Sequence, residues 1–209
     1  MESLTQLLFH ADTFLRVLAL QNNTSIYVIT FLIIFAETGF VVTPFLPGDS
    51  LLFVLGALAA DGLLNLKIAV PLLVVAAIAG DTVNFAIGSF FGDKILLGNS
   101  RFIRREHLER TERFYAAWGA RAIVLCRFFP VLRTFAPFLA GIVRMQYRTF
   151  SFYNIVGALL WITTVLFSGY FFGGLPIVRD HLSAVIVFVV FISFVPTVLL
   201  SLRGKKDDS

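Results

Sequence analysis

Four charged residues stand in stretches that otherwise read as membrane: Glu37, Asp49, Arg127 and Arg133. The acids lie in Glu37-Thr-Gly39 and Pro44-Phe-Leu-Pro47-Gly48-Asp49, the bases in Arg127-Phe-Phe-Pro130-Val-Leu-Arg133. On insertion scales a charge at the bilayer centre costs about 2.5–3.5 kcal/mol, so such residues persist only with partners or water. Guanidinium groups offer planar, forked donors that suit a phosphate or a carboxylate. The carboxylates, in turn, are groups that can take up and release protons. The acids are twelve residues apart and the arginines six, so on straight helices each pair would point in different directions. Breaks at Pro47/Gly48 and at Pro130 allow all four to converge from opposing hairpins. Two readings stay open: a binding and proton-coupling site, or buried salt bridges that only pin the hairpins together.

Other polar residues join this set. Asp81, Asn84 and Gly88 share a helical face by their spacing. Asp81 is either a third member of a proton relay or a packing acid, while Asn84 and Asn154 suit interhelical hydrogen bonding. Pro137, like Pro47, Gly48 and Pro130, supports the site by breaking a helix. Tyr115 and Trp118 read as anchors at the membrane interface. His10, His107 and His181 are dispersed and suggest no metal site. They also lie outside the proposed hairpins, so the arginines lack a nucleophile and general acid nearby, and an enzyme is not expected. Cys126 is the single cysteine, which rules out an internal disulfide and suits a small buried apolar position.

These residues must be positioned by membrane helices. Of the 209 residues 58% are hydrophobic and only 14% charged, against about 25% charged in a soluble domain. Mean hydropathy is +0.87. One all-α integral membrane domain is expected, without a cleavable signal, since Glu2 and Asp12 replace a basic leader. Residues 1–23 suit a helix lying at the membrane surface. Residues 24–60 are too long for one span and tight for two, and the Gly39–Gly48 region breaks them into half-helices over 25–37 and 50–60. A re-entrant hairpin fits. Residues 68–92 form a span and 93–121 a basic interfacial helix, supported by the Glu106/Arg110 and Glu109/Arg113 pairs. Residues 122–143 form the second re-entrant hairpin, and 150–174 and 182–202 two further spans. Seven basic residues between Lys94 and Arg121, with Arg203, Lys205 and Lys206 at the end, place both regions in the cytoplasm.

An internal repeat fits the same plan. Gly88-Ser-Phe-Phe-Gly92 recurs as Gly169-Tyr-Phe-Phe-Gly173, and Phe45-Leu-Pro47 as Phe128-Phe-Pro130. One hairpin and one crossing per half gives an inverted repeat, an architecture of transporters.

The motifs resemble those of the bacterial DedA family, within the VTT/SNARE-associated-Golgi-protein superfamily. They are Glu37-Thr-Gly39, Pro44-Phe-Leu-Pro47-Gly48-Asp49-Ser50, Gly80-Asp81-Thr-Val-Asn84-Phe-Ala-Ile-Gly88 and Arg127-Phe-Phe-Pro130-Val-Leu-Arg133-Thr-Phe-Ala-Pro137. The resemblance covers roughly residues 30–175. It departs at Ala117, where relatives often carry a basic residue. It implies a multi-pass lipid transporter or scramblase of the bacterial inner membrane, with paired re-entrant helices. Some relatives are implicated in returning undecaprenyl phosphate to the cytoplasmic leaflet, and others look proton-dependent. The resemblance implicates Glu37, Asp49, Arg127 and Arg133. The expected function is translocation of undecaprenyl phosphate or a related anionic lipid phosphate, coupled to protons at Glu37, Asp49 and Asp81 and bound at Arg127 and Arg133. A broad phospholipid scramblase or a proton-coupled small-solute antiporter is the alternative. No cofactor and no nucleic-acid partner are expected, and homo-oligomerisation is left open.

Overall fold

A computed structural model of the chain describes residues 23–40, 48–97, 115, 118–173 and 175. The expected surface helix over 1–23, Pro47, most of the 93–121 segment beyond Leu97 and the span over 182–202 lie outside the described residues. Within them there are helices and no strand: α1 (Asn23–Gly39), α2 (Gly48–Ala60), α3 (Leu66–Leu97), α4 (Arg121–Cys126), α5 (Pro130–Ile142) and α6 (Tyr147–Phe172).

Two helices are long and apolar enough to cross a membrane: Leu66–Gly92 with 27 residues and Tyr147–Phe172 with 26. At about 1.5 Å per residue each spans the roughly 30 Å hydrocarbon layer. The apolar helices Thr24–Gly39, Gly48–Ala60 and Leu132–Ile142 are shorter than that. Helix α3 runs past Gly92, where the sequence suggests that the span ends, to Leu97. A lone glycine costs a helix only about 1 kcal/mol, and Asp93-Lys94-Ile-Leu-Leu contains no stronger breaker.

The break in the 122–143 stretch falls at Arg127–Phe129. Phe129 is extended (φ −113°, ψ 114°), as the residue before a proline tends to be, and Pro130 starts α5 where no N–H donor is needed. Arg127 thereby caps the end of α4, and Arg133 enters the first turn of α5, its N–H bonded to the Phe129 carbonyl at 2.9 Å.

Packing is pairwise and crossed. Helices α1 and α5 lie against α3, while α2 and α4 lie against α6. Glycines set the two closest crossings. A Cβ at Gly56 would strike the Leu166 carbonyl and one at Gly169 the Phe53 carbonyl, which brings α2 and α6 together backbone to backbone. Gly88 and Gly141 do the same for α3 and α5, against Phe138 and Phe85. Small residues at such crossings are how helices associate without a hydrophobic drive. Leu52, Leu55, Leu73, Trp161 and Leu166 are buried between the helices, and Phe85 stacks on Phe150 with centroids 4.3 Å apart. Val75, Phe90, Phe152 and Phe171 point outward and exposed, an apolar girdle of the kind lipid covers.

Tyr115 corrects an expectation. It is buried, and its hydroxyl donates to the Ala136 carbonyl at 2.7 Å, so it ties the basic segment to α5 instead of anchoring at an interface. Tyr115→Phe is expected to cost about 1 kcal/mol, a fall of roughly 2–4 °C in the melting midpoint of purified protein. An unchanged midpoint would show that this bond contributes nothing. Trp118, by contrast, is exposed.

Candidate functional site

The charged residues meet where the broken helices end. Glu37 lies in the last turn of α1 and is fully buried. Its Oε1 accepts from the Gly48 N–H at 3.1 Å and from Arg133 Nη2. A Cβ at position 48 would collide with the Glu37 carboxylate, so only glycine lets the start of α2 approach it. One residue on, Asp49 Oδ1 accepts from Arg133 Nη1 at 2.9 Å and from Trp161 Nε1 at 2.8 Å. Arg133 thus bridges both acids of the first hairpin region.

Arg127 has a different partner. Its Nη2 donates to Asp81 Oδ2 and to Asn154 Oδ1, the latter at 2.8 Å. Asn154 in turn donates to the Ile78 carbonyl at 3.2 Å, which locks α6 to α3. The expected convergence of Glu37, Asp49, Arg127 and Arg133 is therefore divided. Three of them form one cluster, and Arg127 joins Asp81 and Asn154 in a second. Trp161 lies against both, its ring centroid 4.9 Å from Arg133 Cζ and 5.9 Å from Arg127 Cζ.

Asn84 sets the register between them. Its Nδ2 donates to the Thr38 carbonyl at 3.1 Å and to the Thr134 carbonyl at 2.8 Å. Those carbonyls belong to the residues that follow Glu37 and Arg133. One amide on α3 thus holds α1 and α5 at the offset their ion pair requires. Pro137 does not break α5, contrary to expectation: the helix runs through it to Ile142, and the buried proline only removes the N–H that would bond to the Arg133 carbonyl. Pro130 starts α5.

Three carboxylates face two guanidiniums in a dry setting. The side chains of Glu37, Asp81, Arg127 and Arg133 are at most 5% exposed, while that of Asp49 is 18% exposed. Asp49 is the cluster's most open member. Burying ions costs several kcal/mol each, which the pairing offsets only when the remaining donors and acceptors are satisfied. Here they are not. Glu37 Oε2, Asn84 Oδ1, Arg127 Nη1 and Arg133 Nε have no hydrogen-bond partner among the described residues. Guanidinium donors without a partner among the described residues are groups of the kind that bind anions.

Comparison with known proteins agrees with the motifs. A VTT domain matches residues 46–171. Protein DedA of Escherichia coli (strain K12) is 47% identical over 206 residues, covering 97% of this chain and 94% of the relative. The chain belongs to the DedA family. Within that family, an uncharacterized membrane protein of Mycobacterium leprae (strain TN) is 36% identical over 181 residues, 86% of this chain and 81% of its own length. Inner membrane protein YghB of E. coli (strain K12) is 31% identical over 168 residues, 80% and 77%. No solved structure matches the chain. In this DedA-family member Asp49, Asp81, Asn84, Arg127, Arg133, Asn154 and Trp161 fall inside the VTT domain, and Glu37 just before it.

The sequence suggests Asn154 as an interhelical hydrogen-bonding residue, which its bond to Ile78 bears out, but not its contact with Arg127, and it gives Trp161 no role. The available signal was their seven-residue spacing on one helix, which places a polar residue and an indole on a common face.

Proposed function

We propose that this DedA-family protein is a transporter of the bacterial inner membrane that moves undecaprenyl phosphate, or a related anionic lipid phosphate, between leaflets. The observation that carries the reading is the pair of buried guanidiniums whose Arg133 Nε and Arg127 Nη1 have no partner among the described residues, beside three carboxylates. A phosphate monoester is the anion such forks match, and its arrival at Arg133 is eased when a proton neutralises Glu37 or Asp49. This gives proton coupling a physical route: the acids and the lipid compete for the same guanidinium. The name of the E. coli relative YghB supports the inner-membrane location.

The short helices support two re-entrant hairpins, α1–α2 and α4–α5, inserted from opposite faces as an inverted repeat. Their crossed packing on α3 and α6 agrees with that symmetry. Reporters fused after Ser209 and at Gly98 are expected in the cytoplasm, and one at Leu175 outside. Opposite sides for Gly98 and Ser209 would overturn the two-hairpin arrangement, which separates them by an even number of crossings.

Purified protein in liposomes tests the function. Undecaprenyl phosphate flux is expected, accelerated by a proton gradient, with little movement of phosphatidylcholine. Equal movement of phosphatidylcholine would instead favour a broad scramblase. No flux of any lipid phosphate would overturn the reading.

A further inference from the structure

Trp161 carries no charge, yet it touches both ion clusters. It is 1% exposed on α6. Its ring lies against the guanidiniums of Arg133 and Arg127, with centroid distances of 4.9 and 5.9 Å. The negative π face attracts both cations and offsets their mutual repulsion where both are buried. Its N–H is committed to Asp49 Oδ1, the oxygen that also takes Arg133 Nη1. Among the described residues the two guanidiniums against this ring each keep a donor without a partner, Arg127 Nη1 and Arg133 Nε.

We infer that Trp161 is part of the phosphate site. Its ring holds the two guanidiniums with their free donors, and its N–H passes from Asp49 to a phosphate oxygen when the anion takes Arg133. This rests on the lipid-phosphate reading and adds a residue and an exchange to it. The two acids are not equivalent in that exchange. Glu37 is fully buried and held by the Gly48 N–H, whereas Asp49 is the acid most open to solvent. Asp49 can be rehydrated when displaced, so Asp49 yields and Glu37 stays. No bond other than hydrogen bonds changes in this step.

The chain has two tryptophans, and Trp118 is exposed and outside the site. Trp118→Phe therefore leaves Trp161 as the sole reporter in an otherwise intact core. The protein is held in phosphatidylcholine nanodiscs and titrated with undecaprenyl phosphate, inorganic phosphate and undecaprenol, while radiolabel follows binding independently. Trp161 emission is expected to change saturably with undecaprenyl phosphate and not with undecaprenol. A matching change with inorganic phosphate would mean that the headgroup alone suffices, and its absence that the lipid tail is also required; both keep Trp161 in the site. Trp161→Phe retains a ring face but loses the N–H, and binding is expected to weaken about threefold to tenfold. Trp161→Leu loses both, and a loss of about tenfold or more beyond the Phe variant is expected.

A purely structural indole would lower thermal stability in both variants without this graded loss of affinity. Radiolabel binding with flat Trp161 emission, or wild-type affinity in a folded Trp161→Leu protein, would overturn the inference and leave the transport reading intact. If Trp161→Leu does not fold, the emission titration decides alone. Absence of radiolabel binding in the wild-type protein would overturn the transport reading and this inference with it.

Discussion

Arg133→Lys is expected to give a folded, correctly inserted protein whose lipid-phosphate flux falls about tenfold to hundredfold. Arg133 spreads its guanidinium over two acids, one nitrogen to Glu37 and another to Asp49, while Nε stays free. Lysine retains the positive charge, so attraction to the acids survives and the helices still meet. It does not retain the fork: one compact ammonium replaces three nitrogens fixed in a plane. A lost hydrogen bond to a charged group costs about 1.5–3 kcal/mol, which sets the size of the effect. The exchanged pair Glu37→Arg with Arg133→Glu makes the same point from the other side. It preserves an ion pair but places a carboxylate beside Asp49 and Trp161, where the guanidinium was. It is expected to restore some stability and no flux. Liposome flux, normalised to correctly inserted protein, checks both. Wild-type flux in the lysine variant, or full rescue by the exchange, would reduce Arg133 to a brace.

Glu37, Asp49 and Arg133 were legible because charge in an apolar stretch is expensive and needs a reason. Pro130, Gly39 and Gly48 were legible for the opposite reason, since their backbone effects are local and strong. Which charges would meet was not legible. Arg127 and Arg133 are six residues apart on either side of a break, and the direction each takes depends on tertiary packing. Hence Asp81 emerged as the partner of Arg127 only in three dimensions. Asn154 and Trp161 were harder still. The amide read only as a hydrogen bond between helices, and one indole is inconspicuous in a chain rich in aromatic residues, so the contact of either with the arginines was not legible. The end of the apolar span at Gly92 was legible, whereas the further course of α3 to Leu97 was not, although nothing after that glycine ends a helix. Tyr115 was assigned to an interface by residue type, whereas its hydroxyl bond to the Ala136 carbonyl places it against α5.

The second cluster separates bracing from binding most sharply. Arg127→Met leaves Asp81, its side chain only 4% exposed, without its cation. Removing one partner of a buried pair typically costs about 3–5 kcal/mol, so poor expression and a much lower melting midpoint are expected. Asp81→Asn in the same protein removes the stranded charge. Neutral replacements of buried pairs are often close to neutral in stability, so the double variant should recover most of the lost midpoint. Transport should not recover with it. Arg127 Nη2 is committed to Asp81 and Asn154, but Nη1 has no partner among the described residues, and methionine supplies no donor in its place. With the fold restored, flux is expected to stay at least about tenfold below wild type, the scale of one lost charge-assisted hydrogen bond. The comparison to make is midpoint against flux in the single and double variants. Parallel recovery of both would assign Arg127 and Asp81 to holding α4 on α3. Recovery of the midpoint alone would leave the free donor of Arg127 as what the transported anion requires.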